Sequence, residues 1–170
     1  MRRAHRQRQL KTGAAADMSG KRVIAIIGGR RANKSLLKEA EKAGRLIAER
    51  GALVVTGGLG GIMEAASRGA KSAGGITIGV LPHDNKEKAN EYVDIALATG
   101  LGIGRNVVIA RTADAAIAIG GEYGTLSEIA FALQMEKPVV CIQSWEVKGV
   151  IPAEGAEEAV AKAFEALGQI

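Results

Sequence analysis

Four apolar runs in this chain each close on a glycine-rich loop, and few folds accommodate that repetition. Val23-Ile24-Ala25-Ile26-Ile27 runs into Gly28-Gly29, and Ala52-Leu53-Val54-Val55 into Thr56-Gly57-Gly58-Leu59-Gly60-Gly61. Val93-Asp94-Ile95-Ala96-Leu97 is followed by Thr99-Gly100-Leu101-Gly102-Ile103-Gly104, and the run ending at Ile119 by Gly120-Gly121-Glu122-Tyr123-Gly124. The runs are short, as strands are, and helical patterns lie between them. That alternation is the signature of βαβ units, whose right-handed crossovers wind a parallel sheet with helices on both faces. The expected fold is a Rossmann-like, doubly wound α/β domain with a mainly parallel sheet, which binds ligands at the carboxyl ends of its strands.

The spacing predicts strands near 22–28, 52–56, 76–81, 92–97, 114–119 and 138–142. It predicts a helix over 34–50 with Leu36, Leu37, Ala40, Ala43 and Ile47 on one face, Asn33 as its cap and Gly51 as its stop. A second, over 61–73, presents the small face Ile62, Ala66, Gly69, Ala70 and Ala73, suited to close approach by strands or a partner helix. Three more are expected over 104–111, 125–136 and 154–167.

The stretch Ile119-Gly120-Gly121-Glu122-Tyr123-Gly124-Thr125-Leu126-Ser127-Glu128 has the order of an anion site: strand, glycine turn, helix start. Glycines admit a ligand close to the backbone, and the unpaired amides and dipole of a first helical turn attract negative charge. A local alternative is a capping box, with Thr125 and Glu128 satisfying each other's amides. The four loops expected at one sheet edge favour a phosphate-bearing ligand. Arg105, at a predicted helix start where a cation opposes the dipole, reads as a ligand contact, whereas Arg111 in the last turn reads as structural. Glu64 suits its first turn as a structural acid, and the polar His83-Asp84-Asn85-Lys86 loop reads as solvated.

Charge narrows the range of partners. The formal net charge is +5, but residues 1–17 hold Arg2, Arg3, Arg6, Arg8 and Lys11 against Asp17, leaving +1 for the rest. Residues 1–20 are therefore expected to be a basic, disordered extension, with Met18 as a candidate native start, and residues 21–170 a single domain. Aromatic residues are 3% of the chain, which argues against stacking on single-stranded nucleic acid. No apolar run reaches the ~18 residues of a membrane span. Cys141, the one cysteine, sits in the apolar run Val139-Val140-Cys141-Ile142 and reads as core; no metal site or disulfide framework can be built on it. A cytoplasmic location is expected.

Two nucleotide motifs fail on inspection. Gly28-Gly29-Arg30-Arg31-Ala32-Asn33-Lys34-Ser35 carries Asn33 where a phosphate-binding P-loop needs glycine, and Gly102-Ile103-Gly104-Arg105-Asn106-Val107-Val108 lacks the third glycine of a dinucleotide fingerprint.

Thr56-Gly57-Gly58-Leu59-Gly60-Gly61-Ile62-Met63 and Gly120-Gly121-Glu122-Tyr123-Gly124-Thr125-Leu126-Ser127-Glu128 resemble the two signatures of the Lonely-Guy, or lysine-decarboxylase-like, Rossmann proteins, a similarity running from about Lys21 to Trp145. Residues 69–82 and Thr99-Gly100-Leu101-Gly102 are most similar to the molybdenum-cofactor-carrier branch. The resemblance implies a phosphate or nucleotide site and no decarboxylation. Carried over residue by residue, it places Gly121, Gly124 and Thr125 at the phosphate and Arg105 and Glu128 as the charged pair; the convergence of the glycine loops adds Gly28, Gly29, Gly57, Gly58, Gly61 and Gly120 as expected ligand contacts.

The hydrolase branch of that family removes the base from nucleoside 5′-monophosphates, and there Glu128 and Arg105 would be catalytic. This chain departs from the hydrolase pattern. It has Gly120 in place of a proline, Glu122 in place of a turn glycine, Arg105-Asn106 in place of an Arg-Lys pair, and Ser127-Glu128 in place of two acids. The expectation is a carrier-like binding protein for a phosphorylated small molecule, either an AMP-like nucleotide or a molybdopterin-type cofactor. No further cofactor or metal is required, and the chain is expected to form a dimer or tetramer. The alternative is a nucleoside-monophosphate phosphoribohydrolase.

Overall fold

The computed structural model describes residues 20–168, so the expectations for residues 1–19 lie outside the described region. Seven parallel strands form one sheet: β1 (Val23–Gly28), β2 (Leu53–Thr56), β3 (Thr77–Leu81), β4 (Ile95–Ala98), β5 (Ala115–Ile119), β6 (Val139–Ile142) and β7 (Ile151–Pro152). Their order is β4-β3-β2-β1-β5-β6-β7. The winding reverses between β1 and β5, where Gly28 pairs in register with Ile119. That reversal opens the crevice in which doubly wound sheets take their ligands.

Four helices connect strands, α1 (Lys34–Glu49), α2 (Ile62–Ser72), α3 (Arg105–Thr112) and α4 (Tyr123–Gln134), and α5 (Ala156–Gly168) follows β7. Alternate strand residues divide the core between two faces. Ile24, Ile26, Ile117, Ile119, Val140 and Ile142 pack under α1, α2 and α5. Ala25, Ile27, Ala116, Ala118, Val139 and Cys141 pack under α3 and α4. Burial pushes the Cys141 thiol up to about 11, so it stays a thiol in the core.

The small-residue face of α2 is used within the chain. A β-carbon on Gly44 or Gly69 would run into the Ala66 or Glu41 carbonyl of the facing helix, so α1 and α2 cross backbone to backbone. The face meets both strands and a helix, and that helix belongs to its own chain.

Some boundaries move for identifiable reasons. Asn33 caps α1 as expected, its side-chain oxygen accepting from the Leu36 amide at 2.9 Å. Strand β4 begins at Ile95 instead of residue 92, because side chains take over the ladder: Asp94 accepts from the Thr77 amide at 2.9 Å, and the Thr77 hydroxyl donates to the Tyr92 carbonyl at 2.6 Å. Strand β7 has only two residues, too few for a periodic signal. Lys137 was not singled out in the sequence; its ammonium donates to the Ala110, Arg111 and Ala113 carbonyls at 2.8, 2.6 and 2.5 Å and so closes the end of α3. Among the described residues no helix is long and apolar enough to cross a membrane.

Candidate functional site

A cavity of about 320 Å³ opens at the carboxyl ends of β1 and β5. Ile27, Gly28, Gly29, Arg30 and Arg31 line it from the first strand and its loop, and Met63 from α2. Arg105 and Asn106 reach it from α3, and Glu122, Gly124, Thr125 and Glu128 from the last turn and α4.

The start of α4 differs from the capping-box expectation. The helix begins at Tyr123, two residues earlier than expected, with Glu122 at the cap position and no side-chain capping bond. Thr125 is therefore inside the first turn and cannot be the cap. Gly120 and Gly121 produce the shift: both have positive φ, 54° and 98°, which lets the chain turn directly out of β5. A β-carbon at Gly121 would also overlap the Thr125 side chain. The loop after β6 pins this turn from behind: the Ser144 hydroxyl donates to the Gly120 carbonyl at 2.6 Å, and the Trp145 indole to the Glu122 carbonyl at 3.1 Å. The first-turn amides of α4 thus stand beside the cavity with no carbonyl of their own helix to bond.

Arg105 is the decisive residue. It is 9% exposed, and its Nε and Nη1 have no hydrogen-bond partner. A buried cation with orphaned N–H groups is costly unless an anion answers it. Gly57 makes room for it, since a β-carbon there would collide with the guanidinium and with the Met63 sulfur. Glu128, 6% exposed, faces the same space, and the two are not among the ion pairs of the described residues. Burial pushes the Glu128 carboxyl up to about 8 even against the pull of Arg105. Burial likewise lowers the Arg105 pKa, with Glu128 opposing that shift and Arg30 adding to it. Near neutral pH the pair is a guanidinium beside a mostly protonated acid, both able to donate to an oxyanion.

Gly28, Gly29, Arg105, Gly124, Thr125 and Glu128 come together at the cavity; Gly57, Gly61 and Gly121 pack against its lining residues, and Gly58 and Gly120 are not among that lining. Gly58 packs against Leu81 and Gly79, and its carbonyl accepts from the Asn90 amide at 2.9 Å. Gly61 lies flat on the Arg30 carbonyl, and the Ile62 amide donates to the Gly29 carbonyl at 3.0 Å. Arg111, Glu64, His83, Asp84, Asn85 and Lys86 do not line the cavity. Glu64 instead sits 3.9 Å from Arg68.

The model of the SLOG cluster4 family matches residues 21–167. The chain belongs to this family. Among its relatives, a protein of Archaeoglobus fulgidus described only as uncharacterized is 44% identical over 138 residues, 81% of this chain and 91% of its own. The cytokinin riboside 5′-monophosphate phosphoribohydrolase of Mycobacterium tuberculosis is 30% identical over 142 residues, 78% of this chain and 76% of its own. Among solved structures, the molybdenum cofactor binding protein of Rippkaea orientalis has a TM-score of 0.82 at 37% identity, covering 86% of this chain and 98% of that one. The Moco carrier protein of Chlamydomonas reinhardtii has a TM-score of 0.81 at 33% identity, covering 88% and 99%. Family and fold agree with the resemblance carried by the two glycine motifs.

In this SLOG cluster4 protein, two departures from the hydrolase pattern touch each other. The Asn106 amide donates to the Ser127 hydroxyl at 3.0 Å and to the Gly124 carbonyl at 3.3 Å, while the Ser127 hydroxyl donates to Gly124 at 2.6 Å. A neutral chain of hydrogen bonds stands where the resemblance implies a lysine and an acid. Asn106 and Met63 carry no local signal for the cavity, because only the winding of the sheet brings their elements to it.

The raised Glu128 pKa makes stability depend on pH. Its ordinary value is 4.5, so between about 4.5 and about 8 the folded chain binds the extra proton. This contribution is complete below the lower value and is lost as pH rises through the upper one, at up to about 1.4 kcal/mol per pH unit. Glu128→Gln, which cannot ionise, is expected to flatten the fall in melting temperature across that window. Parallel melting curves for wild type and variant from about pH 5 to about pH 9 would show that Glu128 is not the titrating group.

Proposed function

We propose that this chain is a binding protein for a phosphorylated small molecule of the nucleotide or molybdopterin class, held in the crevice between β1 and β5. The orphaned, buried Arg105 guanidinium carries this reading. Arg105, Thr125 and the free amides of α4 would hold the phosphate, with Glu128 donating its proton to it. These residues fit the phosphate end of a molybdopterin-type cofactor as well as that of a nucleotide. The named binding and carrier proteins at 37% and 33% identity support a carrier. The exposed Leu101, Ile103, Tyr123 and Phe131 support the expected homo-oligomer.

The second reading, a nucleoside-monophosphate phosphoribohydrolase, is favoured by the Mycobacterium tuberculosis relative and by the closeness of Glu128 to Arg105. It needs a carboxylate to stabilise positive charge developing at the sugar, and a carboxyl with a pKa near 8 is mostly neutral at pH 7.

Native mass spectrometry of the purified chain tests the first reading by weighing the assembly and any retained small molecule together. AMP is expected to raise the melting temperature, by the equivalent of about 2.7 kcal/mol at a hundredfold excess over Kd, and to release no adenine. Adenine forming with the wild type and abolished by Glu128→Gln, with AMP still bound, would make the chain an N-glycosidase. No shift with phosphate or AMP would end the anion-site reading.

A further inference from the structure

Arg30 and Arg31 are left without work by everything above. Both line the cavity, both are exposed, and neither has a side-chain hydrogen bond or an ion-pair partner among the described residues. Arg22 and Arg111 likewise have no side-chain partner among those residues but lie away from the cavity, whereas Arg45 donates to Glu49 at 2.6 Å, Arg50 to the Leu46 carbonyl at 3.3 Å, and Arg68 to Glu41 at 3.0 Å.

The backbone that carries the pair is held on both sides. On one side the Gly29 carbonyl accepts from the Ile62 amide, and Gly61 presses on the Arg30 carbonyl with no space for a β-carbon. On the other, Asn33 caps α1 two residues beyond Arg31. The fold therefore fixes two guanidinium-bearing residues at the mouth of a cavity whose inner wall already holds a third. Like charges gathered this way cost free energy unless a counter-charge arrives. The lining holds only two acidic residues against these three cations, Glu122 and Glu128, and burial favours the proton on Glu128, which makes the shortfall greater.

Size separates the two groups of cations. The cavity has room for roughly ten water volumes, more than one phosphoryl group fills, and Arg105 is buried while Arg30 and Arg31 are exposed. We propose that Arg30 and Arg31 form a second anionic subsite at the mouth, so that the ligand carries two anionic groups: a phosphate against Arg105 and α4, and a second phosphoryl or comparable oxyanion between the paired guanidiniums. This rests on the phosphate site proposed above and adds a requirement to it. Paired arginines suit such a group because each can present two parallel N–H donors to it.

Isothermal titration of the full chain with AMP, ADP, phosphate and pyrophosphate at about 0.15 M salt, where long-range charge effects are screened, tests the subsite. ADP is expected to bind at least about tenfold more tightly than AMP, and pyrophosphate than phosphate, a factor equal to about 1.4 kcal/mol. The double variant Arg30→Ala/Arg31→Ala is expected to weaken ADP at least about tenfold more than AMP, and so to erase the preference. Arg30→Lys/Arg31→Lys, which keeps the charge but loses the paired donors, is expected to fall between the two. Melting curves verify that both variants fold. AMP binding without any preference for ADP, or equal loss of both ligands in the alanine variant, overturns the second subsite while the phosphate site stands. Failure of all four probes to bind overturns both.

Discussion

Arg105→Met is expected to abolish most phosphate binding without destabilising the ligand-free protein, a combination that few buried substitutions produce. A charge-assisted bond of about 1.5–3 kcal/mol corresponds to roughly a 10- to 150-fold weaker Kd for AMP or phosphate. The unliganded fold, however, loses a buried cation whose Nε and Nη1 have no partner. Replacing such a group by an apolar side chain of similar length is commonly neutral or stabilising, since the desolvation cost disappears with the charge. Methionine keeps contact with Met63 and the backbone at Gly57, where the guanidinium now lies. Thermal melting with and without AMP separates the two effects: the ligand-induced shift should collapse while the ligand-free midpoint holds or rises. A ligand-free midpoint several degrees lower would mean that Arg105 is anchored by the protein itself, and the case for an anion partner would fail.

The largest loss of stability is expected at a distance from the cavity, where α1 crosses α2. Gly44→Ala and Gly69→Ala each drive a methyl group into a backbone carbonyl of the other helix, at Ala66 and Glu41. Overpacking against side chains costs about 1–3 kcal/mol, because rotamers can yield. A carbonyl cannot yield without moving its helix. About 3 kcal/mol or more is therefore expected for each, set against a total of roughly 5–15 kcal/mol and readable as a midpoint about 6–12 °C lower. Gly168→Ala supplies the control: a β-carbon there meets nothing within 4 Å, and alanine is the better helix former. Denaturant midpoints that leave Gly44→Ala and Gly69→Ala level with Gly168→Ala would show that the helices are not in backbone contact. The consequence reaches the site, because α2 starts at Ile62, whose amide holds the Gly29 carbonyl beside Arg30.

By itself the sequence determined the layers and the edge at which a ligand would bind. Strand-length apolar runs such as Val23–Ile27, separated by helices capped at residues like Asn33, have one economical solution in a parallel sheet, and parallel strands send all their carboxyl ends the same way. Gly120-Gly121 and Arg105 could be picked out because a glycine turn and a charge against a helix dipole carry local physical meaning, whereas only the family resemblance joined Glu128 to Arg105. Only the tertiary structure decided which of the four glycine loops meet. The reversal of strand order falls between β1 and β5, so the loops of those two strands form the cavity, while the Gly57–Gly61 loop is used as packing around Arg105 and Arg30. Orphaning of the Arg105 donors, the raised pKa of Glu128 and the Asn106–Ser127 bond likewise depend on residues far apart in the chain. Desolvation and hydrogen bonding are set by neighbours in space, and local sequence patterns record only neighbours along the chain.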